Sequence, residues 1–263
     1  MQNTTVKLER DGLIARVILN RPETLNAVNR DLIAGIKEAF EELSADDSIR
    51  VVVLTGEGRG FSSGGDLNKV HEVADVGHSD PFRHLMEEVR ENPRVLSILD
   101  LHEKVVIAAI NGPAVGVGLE IAMAADFRIA KASARMGFVQ SVMGMVPMYA
   151  FGLLPPLMRL PEIKKLMLLG EIIPAEEALR IGLIDEVVPD EDFDARVEAF
   201  AQRMAEVPSQ VTMVVKRGTN QAMIADTLAA INSIEYAEFW LRQQPFHRDG
   251  ANRLRERAGM PKE

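Results

Sequence analysis

Two short runs, Val51 to Thr55 (VVVLT) and Val105 to Ile110 (VVIAAI), hold no charged residue and do not alternate apolar with polar positions. A strand with one wet face alternates; an unbroken apolar run belongs to a strand buried on both faces, as in a parallel sheet covered by helices. Leu13 to Leu19 (LIARVIL) reads as a further strand from its branched residues. Between the strands, Asn29 can cap a helix in which Leu32, Ile36, Phe40 and Leu43 recur at helical spacing, with Lys37, Glu38, Glu41 and Glu42 largely on the other side. Pro174 to Val188 (PAEEALRIGLIDEVV) predicts a helix opened near Pro174 and stopped at Gly182, then a short strand. From Asp190 onward only helices are expected, with Met223, Ala230 and Ile234 on apolar faces and Tyr236, Phe239 and Trp240 as an aromatic cluster. The pattern predicts an α/β fold with right-handed crossovers and mostly parallel pairing, followed by a helical tail suited to packing on a neighbouring subunit.

Composition narrows the function. A hydrophobic fraction of 47% over 263 residues supports a substantial core in one large domain, with or without an appended part. With no cysteine, disulfides, thiolate catalysis and cysteine-ligated metal sites are excluded. A net charge of -9 gains nothing from counterion release, so nucleic acid is not expected as a main partner. No apolar run reaches the roughly 18 residues of a membrane span, and MQNTTVKLERDG lacks a signal-type apolar stretch, so a cytoplasmic protein is expected. The histidines at 71, 78, 84, 102 and 247 show neither HExxH spacing nor a tight cluster, and no metal is expected.

A glycine-rich segment follows each apolar strand: GEGRGFSSGGDL (Gly56 to Leu67) and NGPAVGVGLE (Asn111 to Glu120). Loops beyond strand C-termini are where α/β folds place their sites. Glycine lets a ligand approach the main chain, and a helix start adds unpaired N–H groups with partial positive charge. Gly116-Val117-Gly118 leads into a helical run, which places the Val117 N–H well for such a role; Ser63-Gly64-Gly65 can supply a second donor. Two converging donors suit a thioester carbonyl that becomes an enolate. The polar stretch from Asn68 to Asn92 is a candidate lid.

FSSGGDL, NGPAVGVGLEIAMAADFRIA and GEIIPAEEALRIGLIDEVVP, in this order, resemble the signatures of the enoyl-CoA hydratase/isomerase (crotonase) superfamily, and NRPETLNAV resembles its N-terminal coenzyme A loop. The resemblance runs from about Val6 to the C-terminal helices. It implies a crotonase-like spiral of ββα units over residues 1–190 and a helical trimerisation region over 191–263. It implies Ser63 and Val117 as oxyanion donors. Leu25, Ala27, Gly116 and the loop Ser63, Gly64, Gly65, Asp66, Leu67 are implied to contact the coenzyme A arm, and Arg21 and Arg59 to face its phosphates. Coenzyme A enters as part of the substrate, with no separate cofactor. Subunits are expected to form trimers or pairs of trimers.

The acid–base pair departs from the family pattern. Glu120 matches the first of two hydratase glutamates, but position 140 is Gln140, and Met148 stands where the pattern has glycine. Glutamine can hold a water but exchanges no proton at neutral pH. Hydration, a one-base double-bond shift, lyase and thioester hydrolase chemistry all remain compatible with Glu120 acting alone. Gly60-Phe61-Ser62-Ser63-Gly64 also fits the G-x-S-x-G elbow of serine hydrolases, with His247 as a partner in chain order. A catalytically idle binding protein is the alternative from another class. Gly112, Gly116 and Gly118 do not make a dinucleotide loop, because position 121 is Ile.

Overall fold

Strand β2 (Ile14–Leu19) is the sheet's reference strand, paired in parallel with β3 (Val51–Gly56) and antiparallel with β1 (Val6–Asp11). A computed structural model of the chain describes residues 4–66, 102–216, 218–220, 252, 253, 255 and 256. Leu67, the expected lid, the aromatic cluster with Met223, Ala230 and Ile234, and His71, His78, His84 and His247 lie outside the described residues. β4 (Val105–Ile110), β6 (Phe127–Lys131) and β9 (Glu186–Val188) extend the sheet in parallel, in the order β1-β2-β3-β4-β6-β9. A second small sheet joins β5 (Ala114–Val115), β7 (Arg135–Gly137) and β8 (Ile173–Pro174).

Both-face burial holds as expected. Val52 and Leu54 face one core cluster, while Val51 and Val53 face another. Helix α1 (Arg30–Ser44) covers the first with Leu32, Ile36, Phe40 and Leu43, and the Asn29 side chain accepts the Leu32 N–H at 2.9 Å as its cap. Helices α2 (Val117–Met123), α3 (Ala150–Leu153), α4 (Leu160–Leu169) and α5 (Ala175–Arg180) follow. The second face is closed by α6 (Phe193–Ala205) through Phe193, Val197, Ala201 and Ala205. The first helix past residue 190 thus packs on the sheet's second face. β1 was not expected: only Val6 and Leu8 turn toward the core on an otherwise exposed edge strand.

Candidate active site

Three loops meet beyond the C-terminal ends of the strands, and two asparagines lace them together. Asn26, fully buried, donates from Nδ2 to the carbonyls of Glu57 (3.0 Å) and Gly60 (2.9 Å), while its Oδ1 accepts the Arg21 N–H at 2.8 Å. Asn111 donates to the carbonyls of Gly56 (2.8 Å) and Gly58 (3.0 Å). Asn26 sits at φ 55 after Leu25 at φ 53, a left-handed pair that asparagine tolerates better than most residues. Its role leaves little mark in the sequence beyond an Asn four residues after Pro22 in a loop.

Residues Ser62 to Asp66 run between two neighbours, and the N–H direction reverses between Ser62 and Ser63. The Ser62 N–H donates to Pro113 (3.0 Å) and its carbonyl accepts from Val115 (2.9 Å), toward the segment that leads into α2. The Ser63 N–H turns the other way and donates to Leu25 at 2.8 Å. The expectation that Ser63 supplies an oxyanion donor is thus corrected: that hydrogen is taken by a carbonyl. Val28 then bridges Gly65, donating to Gly64 (2.7 Å) and accepting from Asp66 (3.0 Å). In a parallel bridge of this phase the Gly65 N–H points away from Val28, and among the described residues it has no acceptor. Ser62 is bridged to Ala114, and Gly64 lies against Val115 and Gly116, directly before the first residue of α2. The Val117 N–H, at the first position of α2, also lacks an acceptor among the described residues.

Two glycines permit this approach. Gly64 has φ +95, and a Cβ there would lie 2.7 Å from the Val115 carbonyl oxygen. A Cβ on Gly118 would lie 2.5 Å from Ser62 Oγ, so α2 starts against the donor strand only because that position is bare. Gly65 is exposed and nothing stands within 4 Å of its would-be Cβ, which leaves its face open to a ligand.

Glu120, 2% exposed, lies one turn into α2. Its Oε1 accepts the N–H groups of Tyr149 (3.0 Å) and Ala150 (3.2 Å) at the start of α3, and its Oε2 accepts from Gln140 Nε2 at 3.3 Å. The structure thus brings the two expected acid–base positions together. Gln140 is 9% exposed, on a 3-10 turn (Val139–Met143), and its amide rests near Gly116. An ionised Glu120 accepts only, so the amide must turn its nitrogen inward; its Oε1 is buried without a partner among the described residues. The backbone donors at 149 and 150 were not read from the sequence, because main-chain hydrogens leave no mark in residue identity.

The remaining expected residues separate. Arg21 does not project toward a ligand phosphate: its guanidinium donates to the Ala27 carbonyl and pairs with Asp66 at 3.0 Å, with the two side chains 16% and 7% exposed. Arg59 is exposed, Leu25 half-buried and Ala27 buried. Ser62 is fully buried and donates to the Asn26 carbonyl at 2.8 Å, which removes the serine-nucleophile elbow.

A mostly parallel sheet thus carries glycine-rich loops beyond two of its strands, with N–H groups at Gly65 and Val117 that have no acceptor among the described residues, and a buried carboxylate at Glu120. The family model for enoyl-CoA hydratase/isomerase matches residues 9–257, and the chain belongs to this family. A probable enoyl-CoA hydratase of Mycobacterium bovis is 40% identical over 194 residues, covering 73% of this chain and 68% of that one. A crotonyl-CoA hydratase of Syntrophomonas wolfei is 32% identical over 249 residues, covering 92% and 90%. Among solved structures, an enoyl-CoA hydratase/isomerase from Mycobacterium paratuberculosis superposes with a TM-score of 0.86 at 28% identity, covering 95% of this chain and 98% of that one. The fold is crotonase-like.

Proposed function

We propose that this enzyme adds water across the double bond of a 2-enoyl thioester of coenzyme A, and removes it in reverse, with Glu120 as the proton-exchanging side chain. The thioester oxygen accepts the N–H groups of Gly65 and Val117. Water bonds to C3 as Glu120 takes one of its protons; the double-bond electrons shift toward the thioester and leave an enolate, whose charge the two donors stabilise. Glu120 then returns the proton to C2, so one carboxylate serves both steps and ends as it began. Gln140 accepts a hydrogen of the water through Oε1. That buried acceptor without a partner among the described residues, beside a carboxylate held by two backbone donors, carries the reading.

The test is turnover of crotonyl-CoA, a longer 2-enoyl-CoA and a 3-enoyl-CoA, followed by mass. The 2-enoyl substrates should gain one water, and Glu120→Gln should slow this by about 10²- to 10⁴-fold, the usual worth of a positioned acid–base group. Near-normal turnover of the variant removes Glu120 from the mechanism. One observation favours a second reading: Gln140 stands where a second carboxylate would act, and moving a double bond needs a single base. Conversion of the 3-enoyl substrate without mass change, and no hydration, would establish that isomerase instead.

The same reading makes the protein a cytoplasmic homo-oligomer, a trimer or a pair of trimers, with coenzyme A carried by the substrate and Arg59 available to its phosphates. No helix among the described residues is long and apolar enough to cross a membrane. Val211, Val214 and Val215 share one side of the helical residues 209–216 and are 51%, 65% and 58% exposed, a face suited to another subunit. Sedimentation velocity reads the assembly directly.

A further inference from the structure

An N–H donor works only if its direction is held, and the two ends of the donor strand are held differently. The near end is tied by serine hydroxyls, with Ser62 Oγ on the Asn26 carbonyl (2.8 Å) and Ser63 Oγ on the Thr24 carbonyl (3.0 Å). The far end carries Gly65, which has no side chain, and follows Gly64, whose φ of +95 lies in the region most residues avoid. Val28 grips it through the main chain alone. A side-chain tie at this end is the Asp66 carboxylate on Arg21. The same guanidinium holds the Ala27 carbonyl, and the Arg21 main chain is closed onto Asn26 in both directions, with the Asn26 N–H on the Arg21 carbonyl (2.8 Å) and the Arg21 N–H on Asn26 Oδ1 (2.8 Å). Arg21 thereby joins the loop that supports the donor strand to the residue directly after the donor.

We propose that Arg21 and Asp66 are positioning residues whose ion pair sets the direction of the Gly65 N–H at the thioester oxygen. The inference rests on the enolate-stabilising reading above. Neither side chain need touch the reacting atoms. The guanidinium spans the two loops, with one nitrogen on Asp66 Oδ2 and another on the Ala27 carbonyl, and so limits rotation about the φ and ψ of Gly65, which glycine leaves soft. Without the Asp66 charge the half-buried guanidinium keeps the Ala27 carbonyl but loses its counter-charge, and the loop relaxes toward water. A small rotation of the donor lowers carbonyl polarisation more than it lowers binding, because the coenzyme A arm keeps its other contacts.

The experiment uses the full-length enzyme and 4-(dimethylamino)cinnamoyl-CoA, a thioester whose absorption moves to the red as its carbonyl is polarised. The wild type should red-shift the bound probe. Asp66→Asn and Arg21→Met should lose most of that shift and lower kcat by about 10- to 100-fold with KM changed only severalfold, as a misaimed group does. Arg21→Lys, which keeps one charge contact, should recover part of both. If either charge-removing variant is folded, by its circular dichroism, and keeps the wild-type shift and kcat, the pair is structural and the proposal fails on its own. If the wild type itself leaves the bound probe unshifted, the enolate-stabilising reading fails and takes the proposal with it.

Discussion

His102 makes this fold lose stability in mild acid, and the loss can be worked out. The residue lies just before β4, 4% exposed, with its ring edge-on to Phe40 at 5.2 Å between centroids. Its Nδ1 accepts the Lys104 N–H at 3.3 Å, and its Nε2 is buried without a hydrogen-bond partner among the described residues. Burial, and then the charges of Lys216 and Lys104, push its pKa down from 6.5 to about 4. The unfolded chain therefore takes up a proton near pH 6.5, while the folded chain resists until about 4. In that window the unfolded state binds more protons, so stability rises with pH: it is full above the unfolded value and drains as pH falls toward the folded one. Linkage gives a loss of about 2 kcal/mol between about pH 7 and pH 5, and about 3 kcal/mol by about pH 4. Asp126, which pairs with Lys216 at 2.7 Å, is pushed up by burial and acts with the opposite sign, since its folded form takes a proton first. Comparing the wild type with His102→Asn cancels that contribution, and Asn keeps an acceptor for the Lys104 N–H. Urea unfolding of both proteins at about pH 7 and about pH 5 should show the wild type losing about 2 kcal/mol more than the variant. Equal losses would refute the buried neutral histidine.

The donor loop offers a paired contrast: Gly64→Ala meets the Val115 carbonyl oxygen at 2.7 Å from a φ of +95, and Gly65→Ala meets open space. Thermal unfolding should show the first losing about 1–3 kcal/mol and the second staying within about 0.5 kcal/mol of the wild type; the reverse order would contradict the backbone described for this strand. Gln140→Ala should slow hydration by at least about 10-fold while thioester binding changes little, since it removes the acceptor that orients water. Hydration at the wild-type rate would take Gln140 out of that role.

What the sequence reveals here is what can be decided within a few residues. VVVLT shows both-face burial without knowledge of its neighbours, and Asn29 caps α1 through the N–H three residues on. Glycine at 116 and 118 announces a close approach, and the run from Gly116 to Glu120 is contiguous, so the Val117 donor and the carboxylate could be picked out together. Strands β5 and β8, of two residues each, are too short to show any periodicity. The choice between Ser63 and Gly65 is of another kind. Both flank Gly64, and in a regular extended segment N–H groups two residues apart face the same side; Gly64, at φ +95, breaks that alternation, so residue type alone cannot say which hydrogen is free. The phase is set by Leu25 and Val28, which take the N–H groups of Ser63 and Asp66 from a loop far earlier in the chain. Arg21 misleads for the same reason. A cation in a loop near a phosphate-bearing ligand reads as a ligand contact, yet Asp66 claims it once the two loops are laid side by side. The donor proposed at Gly65 is therefore a product of tertiary pairing, and its nearest trace in the sequence is an acid: Asp66, buried one residue past it, pairs with Arg21, one residue before the loop that grips this strand.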